Sequence, residues 1–191
     1  GLRLDRRPFY VYAGASALPM LALTAAAVRA NGMDTKKLSG LIGADPLGEL
    51  MANGTLYAPI ATLYDEMAAC ARWAGKHAPQ LCTVFVRSDA LSRGGANDVQ
   101  EVASALATGV AYIRAMMERG LTIDEAAQQI FFGFSMGANF FLQVAKLRAV
   151  RPIWAQIVRA FGGGEDAQRI RIHARPALFF KTVYDPYVNM L

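Results

Sequence analysis

Long apolar runs, blocks of like charge and paired cysteines are all missing from this sequence. The longest apolar stretch near the start, Ala15 to Val28, spans about 14 residues where a membrane helix needs roughly 20, and Pro19 sits within it. No membrane span is therefore expected, and no signal peptide is evident. The 20 Lys and Arg outnumber the 15 Asp and Glu, but they are scattered among apolar segments and never form the basic patch of a nucleic-acid binder. The only cysteines, Cys70 and Cys82, lie in apolar segments without CxxC spacing. They read as buried free thiols, not as a disulfide or a metal pair, and fit a reducing cytoplasm. His77 and Cys82 lack a recognised metal-ligand spacing, so His77 reads as a surface residue at a helix end, where its charge suits the dipole.

What is present is apolar material in quantity. With 54% apolar and 18% charged residues over 191 positions, the chain has the composition of one domain with a substantial core and not of a disordered tail. Short β-rich runs alternate with helical ones. Phe9 to Ala13, Leu38 to Ala44, Leu81 to Ser88, Ile130 to Ser135 and Ile170 to Arg175 read as strands. The first helix has Ser16 as a candidate N-cap and stops at Asn31-Gly32. A second is expected from Tyr57 to Lys76. A third carries Val99, Val102, Ala103, Leu106, Val110, Ile113 and Met117 on one face until Gly120. The fourth starts near Asn139 and turns Phe140, Val144, Leu147, Trp154, Val158 and Phe161 inward, with a kink expected at Pro152 and a stop at Gly162-Gly163-Gly164. Lys146, Arg148 and Arg151 read as its solvated face.

Repeated strand-then-helix order predicts a parallel α/β sheet, either doubly wound or a (β/α)8 barrel. Since a complete barrel takes about 250 residues and eight strands, five strands make an incomplete barrel segment of about five βα units. The apolar end, Tyr187 to Leu191, resembles the first turn of another helix, and sequence is expected to be missing at both ends.

One catalytic motif has to be weighed. Gly133-Phe134-Ser135-Met136-Gly137 matches G-x-S-x-G between a predicted strand and a predicted helix, the setting of a hydrolase nucleophile elbow. An α/β-hydrolase also needs an acid and then a histidine downstream, at the carboxyl end of the sheet. Only Asp166 and His173 occur in that order. Asp166 precedes the last strand and His173 falls inside it, while Asp185 follows the histidine. Ser135 therefore reads as a small residue easing strand-to-helix packing, with the hydrolase kept as a minor alternative.

Three stretches carry a resemblance: Leu38 to Asp45 (LSGLIGAD), Val86 to Ala96 (VRSDALSRGGA) and Asn139 to Trp154 (NFFLQVAKLRAVRPIW). In order and separation they resemble the barrel of the methylmalonyl-CoA mutase family, whose catalytic members have a very similar NFF...AKxRAxRxxW helix. The ending KTVYDPYVNML is similar to the small, non-catalytic subunit. The resemblance covers nearly the whole chain, more weakly before Leu18. It implies that residues 1–191 are an internal part of a (β/α)8 barrel threaded by the pantetheine arm of coenzyme A. Adenosylcobalamin would be bound by a separate C-terminal domain, absent here, of the catalytic large subunit, with which this chain would form a heterodimer.

The departures from the catalytic pattern point further. Where active mutases resemble ISGYHxxEAGA, Asp89 stands at the tyrosine position, Ala90 at the histidine and Arg93 at the glutamate. Alanine can neither donate a hydrogen bond to a thioester carbonyl nor exchange a proton. The glutamine and asparagine of a GTIQND-like segment correspond to Gly43 and Ala44. The arginine that pairs with the substrate carboxylate corresponds to Asn53. An arginine and a serine directed at coenzyme A match Gln129 and Phe131. The resemblance thus implies no catalytic, cofactor-binding or metal residue in this chain, and a structural role beside a catalytic mutase partner that interconverts methylmalonyl-CoA and succinyl-CoA. The enzyme alternative is a divergent acyl-CoA mutase whose substrate lacks a free carboxylate, against which Ala90 stands.

Overall fold

Alternating side chains of β-branched and aromatic type set out the strands, and their order sets the architecture. In the computed structural model, which describes residues 3–190, β1 (Phe9–Gly14), β2 (Ser39–Ala44), β3 (Gln80–Arg87), β4 (Ile130–Met136) and β5 (Arg171–Pro176) form one sheet. Spatial order follows chain order, β1-β2-β3-β4-β5, and every neighbouring pair is parallel. A doubly wound sheet would reverse its order at a switch point. This one winds in a single direction and curls into a half-barrel, an incomplete (β/α)8-type segment with its helices between the strands.

The connections are α1 (Ala17–Ala30), α2 (Pro46–Asn53) and α3 (Ile60–His77), α4 (Asp89–Arg93), α5 (Asp98–Met117) and α6 (Ile123–Gln129), and α7 (Phe140–Ala160). Local chemistry fixes several ends. Asp45 caps α2 by accepting from the Gly48 N–H, Pro46 occupies its first turn, and Gly54 ends it in the left-handed conformation. Asn97 with Gln100, and Thr122 with Glu125, form reciprocal capping boxes that start α5 and α6. The five expected strands agree with the observed ones to within one or two residues. The short helices α2, α4 and α6 were not expected, because each is under three turns and too brief to show a period. Pro186–Met190 is a 3-10 turn, and Leu191 lies outside the described residues.

Each strand has two faces with different work. On the helix side Val84, Val86, Phe132 and Phe134 pack with Tyr112, Ile113, Met116, Val150, Trp154 and Val158 into the main core. Each such large side chain stabilises the fold by about 2 kcal/mol on burial. The Phe132 and Trp154 rings meet edge to face with centroids 4.8 Å apart, and Gly109 of α5 leaves them room. A second cluster, with Leu21, Val28, Ile42, Cys70 and Leu81, pins α1 and α3 to β2 and β3. On the lumen side a small separate cluster joins Leu41, Cys82 and Phe85, with Phe131 against it.

Two helices sit differently from their expected orientation. On α5 Leu106 and Ile113 are buried as expected, but the buried face also takes in Glu101, Ala105, Gly109, Tyr112 and Met116, while Val99 is exposed. Polar anchors rotate the helix: Tyr112 donates to Asp45 at 2.6 Å, and Glu101 is drawn inward by Lys146 at 2.8 Å. On α7, Trp154 and Val158 are buried as expected, but Phe140 and Val144 are exposed. Lys146, expected on a solvated face, is instead buried in an ion-pair network.

Candidate functional site

Parallel barrels present their chemistry at the carboxyl ends of the strands, where the following loops converge. Here that end of the lumen is a cavity of about 150 Å³ walled by Tyr10 and Tyr12 of β1, Phe85 and Arg87 of β3, Ser135 of β4, and His173 and Arg175 of β5. The Tyr10 and His173 rings stack with centroids 6.1 Å apart. Five of the twelve wall residues are aromatic.

Charge concentrates on one residue. Asp89, the first residue of α4, keeps only 8% of its side chain exposed and faces three guanidinium groups. Arg175 donates to its Oδ2 at 2.5 Å, Arg87 Nε lies 2.7 Å from Oδ1, and Arg93 stands 3.8 Å away. The Arg87 contact is an ion pair without hydrogen-bond geometry. The Arg87 guanidinium also covers the Tyr12 ring at 4.5 Å, a cation–π contact. The Tyr12 hydroxyl donates to Glu49, whose second oxygen accepts from Asn53 Nδ2 at 2.7 Å. Burial, then the charge of Asp45 and the bond to Glu49, push the Tyr12 phenol well above its ordinary pKa and keep it a neutral donor.

Beneath this layer lies Asp45, fully buried. It accepts from the Tyr112 hydroxyl at 2.6 Å, the Gly48 N–H at 3.1 Å and the Arg87 N–H at 3.1 Å. Burial raises its pKa to about 7, against the opposing pull of these donors. Behind β4, Lys146 Nζ bonds Asp98 at 2.6 Å, Glu101 at 2.8 Å and the Ser135 carbonyl at 2.5 Å. Glu101 in turn accepts from the Ser135 N–H at 2.8 Å and the Ser88 hydroxyl at 2.5 Å. These bonds fix the carboxyl ends of β3 and β4, and so the start of α4 that carries Asp89. They contain no free acid or base facing the lumen.

A family model for methylmalonyl-CoA mutase matches residues 1–191. A methylmalonyl-CoA mutase small subunit from Streptomyces virginiae is 35% identical over 191 residues, covering all of this chain and 30% of the relative. The large subunit from the same organism is 30% identical over 191 residues, 26% of its length. A methylmalonyl-CoA mutase from Escherichia coli is 32% identical over 189 residues, covering 98% of this chain and 26% of the relative. This chain belongs to the methylmalonyl-CoA mutase family. It spans 26–30% of the length of these three relatives.

The positions expected to depart from the catalytic mutase pattern fall in different places. Gly43 lies on the lumen face, where a Cβ would overlap Phe85, while Ala44 packs on the helix side. Asn53 is tied to Glu49 and Asp89 to its arginines. Ala90 lies away from the lumen cavity, in a groove beside Met51 of α2. Gln129 is at the opposite end of the sheet, where its carbonyl accepts from Thr83 Oγ1 at 3.0 Å. Phe131 faces the lumen, edge-on to Tyr10 at 5.8 Å.

The hydrolase arrangement is not assembled. Ser135 is buried inside β4, and among the described residues no hydrogen bond joins it to His173. Asp166 lies in the loop before β5, with 79% of its side chain exposed and paired to Arg169 at 3.3 Å. Asp185 is exposed and accepts from the Tyr187 N–H. Among the described residues no group of three or more His, Cys, Asp or Glu side chains could hold a metal ion. His77 ends α3 beside Trp73, and His173 is held between Tyr10 and Phe85. Both cysteines are free and buried, and no helix among the described residues is long and apolar enough to cross a membrane.

Arg87, Arg175, Tyr12 and Glu49 were not anticipated from the sequence. Arg175 and Asp89 are 86 positions apart and Tyr12 and Glu49 37, so no local period reveals those contacts.

Proposed function

We propose that this chain is part of a non-catalytic, structural subunit of a methylmalonyl-CoA mutase heterodimer. Its catalytic partner binds adenosylcobalamin and interconverts methylmalonyl-CoA and succinyl-CoA. Residues 1–191 belong to the barrel domain in this reading, and the complex works in the cytoplasm. The observation that carries it is the closed set of contacts at the lumen mouth. Asp89, at the tyrosine position of the catalytic pattern, is consumed by Arg87 and Arg175, and Asn53, at the arginine position, by Glu49. A radical mutase needs groups that bind the thioester and the carboxylate more tightly as the reaction proceeds. Here the corresponding groups are paired with one another, and Ala90 has no polar atom to offer. The large and small subunits named among the relatives support a two-chain assembly.

The test is turnover by the natural full-length protein, alone and mixed with its catalytic partner, in the presence of adenosylcobalamin. The expected result is no isomerisation by this protein alone, and a higher thermal midpoint for the partner when the two are mixed. Turnover of methylmalonyl-CoA by this protein alone would overturn the reading.

A further inference from the structure

One lumen side chain touches the whole half-barrel. Phe85, on the inner face of β3, has ring neighbours at Tyr12 of β1 (centroids 6.0 Å), Phe131 of β4 (6.5 Å) and His173 of β5 (6.4 Å). On β2 and β4 it meets glycines. A Cβ added at Gly43 would overlap the Phe85 Cβ, and one at Gly133 would overlap the tip of its ring. Neither glycine has a positive φ, so backbone conformation does not require glycine there. The volume of the Phe85 ring does. Two missing side chains and one large one are a single packing solution, closed below by Leu41, Cys82 and Phe131.

We propose that Phe85 is a plug that closes this lumen to the extended arm of an acyl thioester, an inference that rests on the structural-subunit reading above. The space left beside the ring is a cavity of about 150 Å³, below the roughly 300–1,000 Å³ of ordinary ligand pockets. An arm threaded along the axis would also have to bury its amides against Tyr10, Phe85 and Phe131, where few partners meet them. Exclusion is thus set by one residue that strands on both sides are shaped to receive.

Cys82 lies on the lumen side in the same small cluster as Phe85 and is 2% exposed, while Cys70 is buried in the cluster between α1 and α3. The two thiols give a direct readout. The natural full-length protein and its Phe85→Ala variant are treated with methyl methanethiosulfonate, and labelling of each cysteine is followed by peptide mass. In the unaltered protein neither thiol is labelled while the fold is intact. In Phe85→Ala, Cys82 is labelled about tenfold faster or more, and Cys70 stays protected. A folded Phe85→Ala variant whose Cys82 is as slow as before overturns the plug, as does rapid labelling of Cys82 in the unaltered protein. If Cys70 is labelled too, the variant has unfolded, and Phe85→Leu takes its place with the same two criteria. Rapid labelling of Cys82 in a protein without turnover defeats the plug and leaves the structural-subunit reading standing. Turnover of methylmalonyl-CoA by the unaltered protein alone defeats that reading instead.

Discussion

Replacing Lys146 with methionine keeps the length of the side chain and removes its charge. The Lys146 side chain is 2% exposed and that of Glu101 3%, so the change strands a carboxylate in the core between β4, α5 and α7. Breaking a buried pair from one side costs about 3–5 kcal/mol, because the remaining charge stays desolvated. Glu101 keeps two donors, the Ser88 hydroxyl and the Ser135 N–H, which places the loss near the lower end, at about 3 kcal/mol. Asp98 has 23% of its side chain exposed and can rehydrate. With a urea m-value of about 2 kcal/mol/M, the unfolding midpoint of the full-length protein should fall by about 1.5 M. The double variant Lys146→Met, Glu101→Gln should recover part of this loss, since no fully buried charge is then left without a partner. A loss below about 1 kcal/mol in the single variant, the value of an exposed pair, would refute the reasoning.

The pH dependence of stability should carry the signature of Asp45. Its folded pKa of about 7 lies above an unfolded value of about 3.9. Its contribution is therefore fully present below pH ~4, declines as pH rises towards 7, and is flat above that, with a span of about 4 kcal/mol at most. Urea unfolding at pH 5 and pH 8 should show this decline in the unaltered protein and a smaller one in Asp45→Asn; equal declines in both would assign it elsewhere. Gly109→Ala should destabilise by about 1–3 kcal/mol through overpacking, because its Cβ would lie 2.8 Å from Phe132 and 2.9 Å from Trp154. Gly75→Ala in α3, where a Cβ meets nothing within 4 Å, should instead raise stability by up to about 1 kcal/mol; thermal unfolding of the two variants should move in opposite directions.

How much of this was legible beforehand follows from the range of each signal. Strand periods are local, and so all five strands and their parallel order could be read. The long helices α3, α5 and α7 were legible for the same reason. The face of α5 was legible only in part: Leu106 and Ile113 are buried as expected, but Val99 is not, because the helix is also fixed by Glu101 and Tyr112, polar residues that a hydrophobic period scores as exposed. Lys146 failed for the same cause: its partners Asp98 and Glu101 are 48 and 45 positions away. At the candidate site, Gly43, Asn53 and Asp89 were singled out by the family resemblance. What fills the space they leave, Phe85 and the arginines of β3 and β5, depends on lumen packing that only the curl of the sheet brings together.

That separation of faces lets lumen residues and core residues vary separately. Along β3 the residues Val84 and Val86 point to the helices and belong to the main core, whereas Phe85 and Arg87 point to the lumen. Along β4 the division repeats with Phe132 and Phe134 against Gly133 and Ser135. The main core owes its free energy to the first set, together with Trp154, Val150 and Val158 of α7. A change such as glycine at position 43 with phenylalanine at 85 alters only the second set, and the ring fills the volume the glycine leaves. Because one pleat separates the two sets, lumen chemistry can be exchanged for lumen packing at little cost to the helix-side core.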